Sequence, residues 1–155
     1  MQEKQKKSIH PAKAYLSKYC GLKSRVDDLE EELEYIGELA TKATSRITAE
    51  RVSGTSMKDG MANAVLRGLD AKEEIERIVS HLKEQLAVRL ILIEEMEDEN
   101  EKLLLTELYI NGREWRDVLQ RMERKLHYGR TKVFEIHGLA LNHFWENYQK
   151  HKNAD

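Results

Sequence analysis

Apolar residues fall at Tyr15, Tyr19, Leu22, Val26, Leu29, Leu33, Ile36, Ala40, Ala43 and Ile47, in unbroken alternating steps of four and three. This is a heptad seam, the pattern of a helix that buries one narrow stripe. Pro11 suits a first helical position, where a missing N–H costs nothing, so the helix is expected to start near His10 or Pro11. At ~1.5 Å per residue the seam would be roughly 50 Å long. Gly54, Gly60 and the Ser, Thr and Asp residues between them then signal a loop, with Asp59 as the N-cap of a second helix. A second run uses Met61, Val65, Leu69, Ile75, Val79, Leu82, Leu86, Leu90, Ile93 and Met96. Gly68, Lys72 and Arg89 occupy its strict seam positions, so the stripe is expected to shift to neighbours such as Leu69 and Leu90. Two long helices joined by about ten residues predict an antiparallel hairpin, coiled-coil-like. Its seam would set Leu22, Val26, Leu29, Leu33 and Ile36 against Ile75, Val79, Leu82, Leu86 and Ile93. A two-helix hairpin encloses little core, so a second copy or the C-terminal unit is expected against it.

From Asn100 the spacing shortens. "NEKLLLTELYING" predicts a compact helix with Leu104, Leu105, Leu108 and Tyr109 inward, ended by Gly112 in the left-handed position. "REWRDVLQRMERKL" predicts the next, with Trp115, Val118, Leu119, Met122 and Leu126 at three- and four-residue spacing. "HYG" breaks it. A third helix comes after it, with Val133, Ile136, Ala140, Leu141 and Phe144 inward. No strand-like alternation of any length occurs. The expected class is all-α: a long antiparallel helical hairpin followed by a compact three-helix unit. Its divisions would be a tail over 1–10, the hairpin over 11–97, the compact unit over 98–149 and a tail over 150–155.

Charge sharpens this picture. Charged residues make up 35% of the chain, against about 25% ordinarily, which favours long solvent-washed helices. The net charge of −2 says little, but its distribution is uneven. Seven acids and no Lys or Arg lie between Asp27 and Glu38, and six acids and no base between Glu94 and Glu101. From Arg113 to Lys132 seven bases face three acids. The longest apolar run, Leu90 to Ile93, is far short of the roughly 20 residues that span a bilayer, so no membrane role is expected. The polar opening "MQEKQKKSIHP" is no signal segment, and the single Cys20 has no disulfide partner within the chain; a cytoplasmic protein is expected.

The second and third short helices, joined at "HYG", have the proportions of a helix-turn-helix. That motif inserts the N-terminal end of its second helix into the DNA major groove. Arg130, Thr131 and Lys132 occupy that first turn. Arg130 or Lys132 can donate to guanine O6 and N7, and Glu135, one turn on, can accept from cytosine N4. Arg113, Arg116, Arg121, Arg124, Lys125 and Tyr128 would lie near phosphates, where contacts add affinity without sequence information. Leu108, Trp115, Val118, Met122, Leu126, Val133, Ile136, Ala140 and Leu141 would form the motif's core. Repulsion between phosphates and the acidic hairpin would orient the molecule. Taken alone, the basic face also fits an ordinary solvated helix surface.

The stretch "LLLTELYINGREWRDVLQRMERKLHYGRTKVFEIHGLAL" resembles the region-4 helix-turn-helix of bacterial sigma factors, and more closely the C-terminal half of phage-encoded RinA/ArpU-type transcriptional regulators. The carrying features are "LYI-x-G" at Leu108–Gly112, Trp115 opening the next helix, Tyr128 followed by Val133, and "IH-x-x-AL" from Ile136 to Leu141. The long paired helices before it also resemble that family. In the family pattern the tryptophan lies about one turn nearer the recognition helix. A one-turn extension returns near the same angle and keeps the same face inward. The usual serine after the tyrosine is Gly129 here, which removes a capping hydroxyl and makes the start of that helix more flexible. The resemblance implies a sequence-specific double-stranded-DNA-binding regulator of phage or prophage genes, typically an activator of late transcription. Its hairpin would join two copies as a homodimer or dock on RNA polymerase.

Other chemistries have little support. His127, His137, His143 and His151 show no His-x-x-x-His pairing and no neighbouring Cys, so no metal is expected. His137 is expected to pack within its helix. Neither a phosphate loop nor a nucleophile elbow is present, so neither enzyme activity nor a cofactor is expected. Cys20, one position past the seam, is expected to be a partly buried thiol, and Trp115 a core anchor. Two rival readings remain: a phage DNA-packaging recognition subunit of the small-terminase kind, and a helical interaction module that does not bind DNA.

Overall fold

The computed structural model describes residues 9–52 and 59–154. Every described element is helical: α1 (Pro11–Ser17), α2 (Leu22–Val52), α3 (Asp59–Glu94), α4 (Glu99–Leu105) continued by a π-helical turn (Thr106–Ile110), α5 (Trp115–Leu126) and α6 (Arg130–Ala154). The all-α class holds, with a long helix pair and then a compact helical unit. Residues 1–8 of the expected tail, residues 53–58 of the expected loop, and the side chains of Ala43, Ile47, Asp59, Met61 and Val65 lie outside the described residues. Among the described residues no helix is long and apolar enough to cross a membrane.

The chain divides into two compact units, one drawn from Met1–Lys23 and Gln85–Asp155, the other Ser24–Glu84. In the second, Val26 and Val79 are buried, while Leu29, Leu33, Ile36, Ile75 and Leu82 are half-buried. Two helices side by side leave a flank of every seam residue open, so burial stays partial. Lys83 near the end of α3 pairs with Glu30 near the start of α2, as an antiparallel pair requires. The stripe does not shift to Leu69, which is exposed, although Leu90 does pack half-buried against the core of the compact unit. The strict steps of four and three hold instead, turning Gly68 and Lys72 half-inward and burying Arg89. Helical geometry fixes which positions face inward, and the sequence fills three of them with non-apolar residues.

The first seam does not continue as one helix. α1 ends at Ser17, and Gly21 adopts a left-handed φ of 72° before α2 begins. α1 belongs to the compact unit, where Ala12 and Leu16 are completely buried and Tyr15 only half-buried. Pro11 does open α1, and the His10 ring caps it, accepting the Ala12 N–H at 3.1 Å on Nδ1 while Nε2 meets Asn142 of α6 at 2.8 Å. The break docks on the end of the π-helical turn: Gly21 N–H donates to the Tyr109 carbonyl at 3.2 Å and Cys20 Sγ to the Leu108 carbonyl at 3.3 Å. Cys20 is therefore an exposed thiol with a backbone partner rather than a partly buried one.

Arg89 holds the same region from the α3 side and is only 2% exposed. It donates to the Tyr15 carbonyl at 3.1 Å and to the Gln85 carbonyl and Oε1 at 3.1 and 3.0 Å. Its guanidinium lies 4.1 Å from the Tyr15 ring centre and 4.6 Å from that of Tyr19. Burial lowers its pKa from the ordinary value, and the neighbouring tyrosines oppose that shift. A guanidinium stays charged regardless, with carbonyl and ring partners in place of a carboxylate.

Gly112 ends the π-helical turn at φ 67°, the left-handed position expected of it. A Cβ there would stand 2.8 Å from the Gly21 Cα, so two left-handed glycines meet backbone to backbone. The turn itself buries three consecutive residues, Leu108, Tyr109 and Ile110. An α-helix, stepping ~100° per residue, would spread them over more than half its circumference; the wider turn, closed by Asn111 N–H to the Thr106 carbonyl at 2.9 Å, narrows that spread. The acidic run 94–101 opens α4: Asp98 caps it, accepting the Asn100 and Glu101 N–H groups, with Glu99 and Glu101 in its first turn. Gly112→Ala is expected to lower stability by roughly 1–3 kcal/mol from the left-handed backbone alone, with the Gly21 contact adding to it. Gly129, with a negative φ and open space around it, should tolerate alanine within about 0.5 kcal/mol. Urea unfolding midpoints of the two variants check the contrast.

Candidate nucleic-acid interface

α5 and α6 are joined by His127, Tyr128 and Gly129. His127 takes the left-handed conformation at φ 56°, and its N–H and that of Tyr128 return to the Glu123 and Met122 carbonyls at 3.0 and 3.5 Å. This closes α5 in a left-handed C-terminal turn of the αL kind, with histidine in the position glycine usually takes. Gly129 is not the strained residue; its carbonyl accepts the Val133 N–H at 3.1 Å and opens α6. Val118, Met122, Val133, Ile136, Ala140, Leu141 and Phe144 are buried together with Leu108, while Trp115, Leu119 and Leu126 pack against them half-buried. The extra turn of α5 thus keeps its inner face inward. α6 runs on to Ala154, through residues expected to form a tail.

Arg130, Thr131, Lys132 and Glu135 are all exposed on the first two turns of α6. One turn apart, Arg130 and Phe134 share a strip of that helix, and Thr131 and Glu135 share the next. The Arg130 guanidinium lies 5.4 Å from the Phe134 ring centre, and Lys132 Nζ lies 5.9 Å from that of Tyr128. Arg116, Arg124 and Lys125 are exposed and make no ion pair among the described residues. Arg113 and Arg121 differ. Both bind the Glu107 carboxylate, at 2.7 and 2.9 Å, Arg121 tying the π-helical turn to α5 and Arg113 tying it to the link just before α5. Glu107 is only 14% exposed, so these two arginines neutralise a sheltered acid before they meet anything outside. Tyr128 is half-buried, its hydroxyl 3.5 Å from Asn100 Nδ2.

Several site features escaped sequence reading. Glu107 sits inside the apolar run "LLLTELYI", and an acid in such a run is a sign of a buried partner. Phe134 comes directly after Val133, and the ~100° step between them carries it from the buried face to the exposed side of α6. Arg130 lies over it, and Trp115 packs against it at 4.9 Å between ring centres. His137 does pack inside, at 2.8 Å from the Tyr109 hydroxyl and edge-on to Trp115. Burial lowers its pKa to about 4 and raises that of Tyr109 to about 12.

An acidic groove of about 530 Å³ lies elsewhere in this unit, lined by Glu95, Glu97, Asp98, Glu101 and Glu146 with His143 and Lys150. The almost fully buried Glu101 holds His143 at 2.7 Å, and His151 meets Glu95. The hydrogen bond to Glu101 chiefly raises the His143 pKa. These histidines serve as partners to acids rather than as a group: among the described residues no three potential ligands gather around a metal position. Compared with protein families, curated proteins and solved structures, the chain matches none of them.

The two histidines oppose each other in pH dependence. His137 folds neutral and its folded pKa lies below the unfolded value of 6.5, so its contribution is complete above pH 6.5 and is lost as pH falls towards about 4. The span corresponds to about 3 kcal/mol. His143 has a raised pKa, so its smaller contribution is present below pH 6.5 and fades as pH rises through the folded value. Urea unfolding between pH 4.5 and 8 should therefore show stability climbing to about pH 6.5, and His137→Gln should flatten that climb.

Proposed function

We propose that this chain is a sequence-specific double-stranded-DNA-binding transcriptional regulator, with α5 and α6 as its helix-turn-helix. One observation carries the reading: the exposed first turns of α6 present Arg130, Thr131, Lys132 and Glu135 from a helix whose opposite face is core. A helix built this way is rigid where it must be aimed and polar where it meets base edges. Arg130 and Lys132 would donate to guanine, and Glu135 would accept from cytosine. Arg116, Arg124 and Lys125, unpaired among the described residues, would take phosphates, while Arg113 and Arg121, committed to Glu107, would contribute mainly by stiffening α5 and the link before it. The acidic groove would be repelled by phosphates and so face away from the duplex.

One short recognition helix reads few bases, and two half-sites about one helical turn apart multiply specificity. The paired helices of Ser24–Glu84 expose Tyr35, Leu39, Leu66, Leu69 and Ile78, which supports pairing of two copies there. The resemblance to RinA/ArpU-type regulators extends the proposal to phage or prophage late genes, a contact with RNA polymerase and work in the cytoplasm, without enzyme activity or a cofactor.

Fluorescence anisotropy with a duplex selected from a random pool tests the reading. Arg130→Ala and Lys132→Ala, at unchanged helicity, should each weaken the selected duplex by roughly five- to 100-fold and random duplex little. Arg124→Ala should weaken both alike and reduce the salt slope by about one. Equal affinity for selected and random duplex, unchanged by these substitutions or by salt, overturns the proposal.

A further inference from the structure

Phe134 is a large apolar residue set among charges. It is 41% exposed on the second turn of α6, beside Arg130, Thr131 and Glu135. Water-facing phenylalanines usually move freely, but this ring is held by two neighbours. Trp115 packs against it with the ring planes inclined by 39°, and Arg130 lies over it. Trp115 is itself fixed edge-on to the buried His137, so the support reaches into the core. A ring held in place loses little further freedom when it makes a contact, which is the condition for an apolar side chain to add selectivity. The residues assigned to guanine and cytosine around it include no apolar reader, and the thymine C5-methyl group of the major groove is read by apolar contacts, phenylalanine among them.

We infer that Phe134 is a specificity-determining residue that packs its ring edge against a thymine methyl group next to the base contacted by Arg130. The inference rests on the DNA-reading role of α6 and names one base that role selects. The stack with Phe134 also orients the guanidinium: Arg130 and Phe134 read adjacent bases as one unit, a donor for guanine beside an apolar surface for thymine. A scaffold role alone would need the ring against Trp115 and would not need so much of the residue exposed.

The test is a uracil scan. The duplex selected by the full chain is resynthesised with each thymine replaced in turn by uracil, which removes one methyl group and no hydrogen-bonding atom. Binding is measured for the unaltered protein, Phe134→Ala and Phe134→Leu, with helicity checked by circular dichroism. The unaltered protein should lose about four-fold at one thymine per half-site, the worth of one buried methyl. Phe134→Leu should keep part of that sensitivity, and Phe134→Ala should bind thymine and uracil alike. A selected site lacking thymine at every position, or a scan identical for the unaltered protein and Phe134→Ala, overturns the inference while leaving DNA reading by Arg130 intact. Selection that enriches no sequence overturns both.

Discussion

A buried guanidinium without a carboxylate governs how the two ends of this chain meet. Arg89 lies on the seam of α3, yet it bonds the Tyr15 carbonyl across from it and spreads its charge over the Tyr15 and Tyr19 rings. Tyr15 in turn touches Phe144 and Tyr148 of α6 at 6.0 and 4.8 Å between ring centres. A residue from the first helix is thus the hinge pin between α3 and the last helix. An uncompensated charge in that position would cost several kcal/mol; carbonyl oxygens and aromatic faces offset it, and they do so only if α1 ends where it does. The left-handed Gly21 and its contact with Gly112 provide that ending.

This constraint sets the separation of duties in α6. Its inner face, Val133 through Phe144, closes the core with α1 and α4. The C-terminal half turns His143, Asn147 and His151 towards Glu101, Leu92 and Glu95. The first two turns present Arg130, Thr131, Lys132, Phe134 and Glu135 to solvent, and these include the residues proposed to read DNA. Charge obeys the same division, with acids gathered in the groove and at the start of α4, and unpaired bases on α5.

Much of the fold was legible in the sequence because it depends on periodicity. Steps of four and three located α2 and α3, but the expected shift of the stripe away from Gly68, Lys72 and Arg89 did not follow, because helical geometry turns those strict positions inward whatever residue fills them. The inward sets of α5 and α6 were legible for the same reason, as was Gly112. Three things were not. The seam runs through Tyr15, Tyr19 and Leu22 without a missed beat, so nothing in its rhythm marks the break at Gly21. The π-helical turn has no sequence period of its own. Side-chain partnerships over long separations, such as Glu107 with Arg121 or Arg89 with Tyr15, are set by tertiary packing that local spacing does not encode. For the candidate site, position and polarity were legible, while the commitment of Arg113 and Arg121 to Glu107 and the exposure of Phe134 were not.

The central claim is that the start of α6 is the surface this protein turns to DNA. Amide hydrogen exchange on the full chain, free and saturated with its selected duplex, addresses it directly. The account predicts slowed exchange from Glu123 through Glu135, spanning the end of α5, the His127–Gly129 turn and the first turns of α6, with the acidic groove around Asp98 and Glu101 unchanged. Protection confined to the groove or to Ser24–Glu84, with Glu123–Glu135 exchanging as in the free protein, would contradict it.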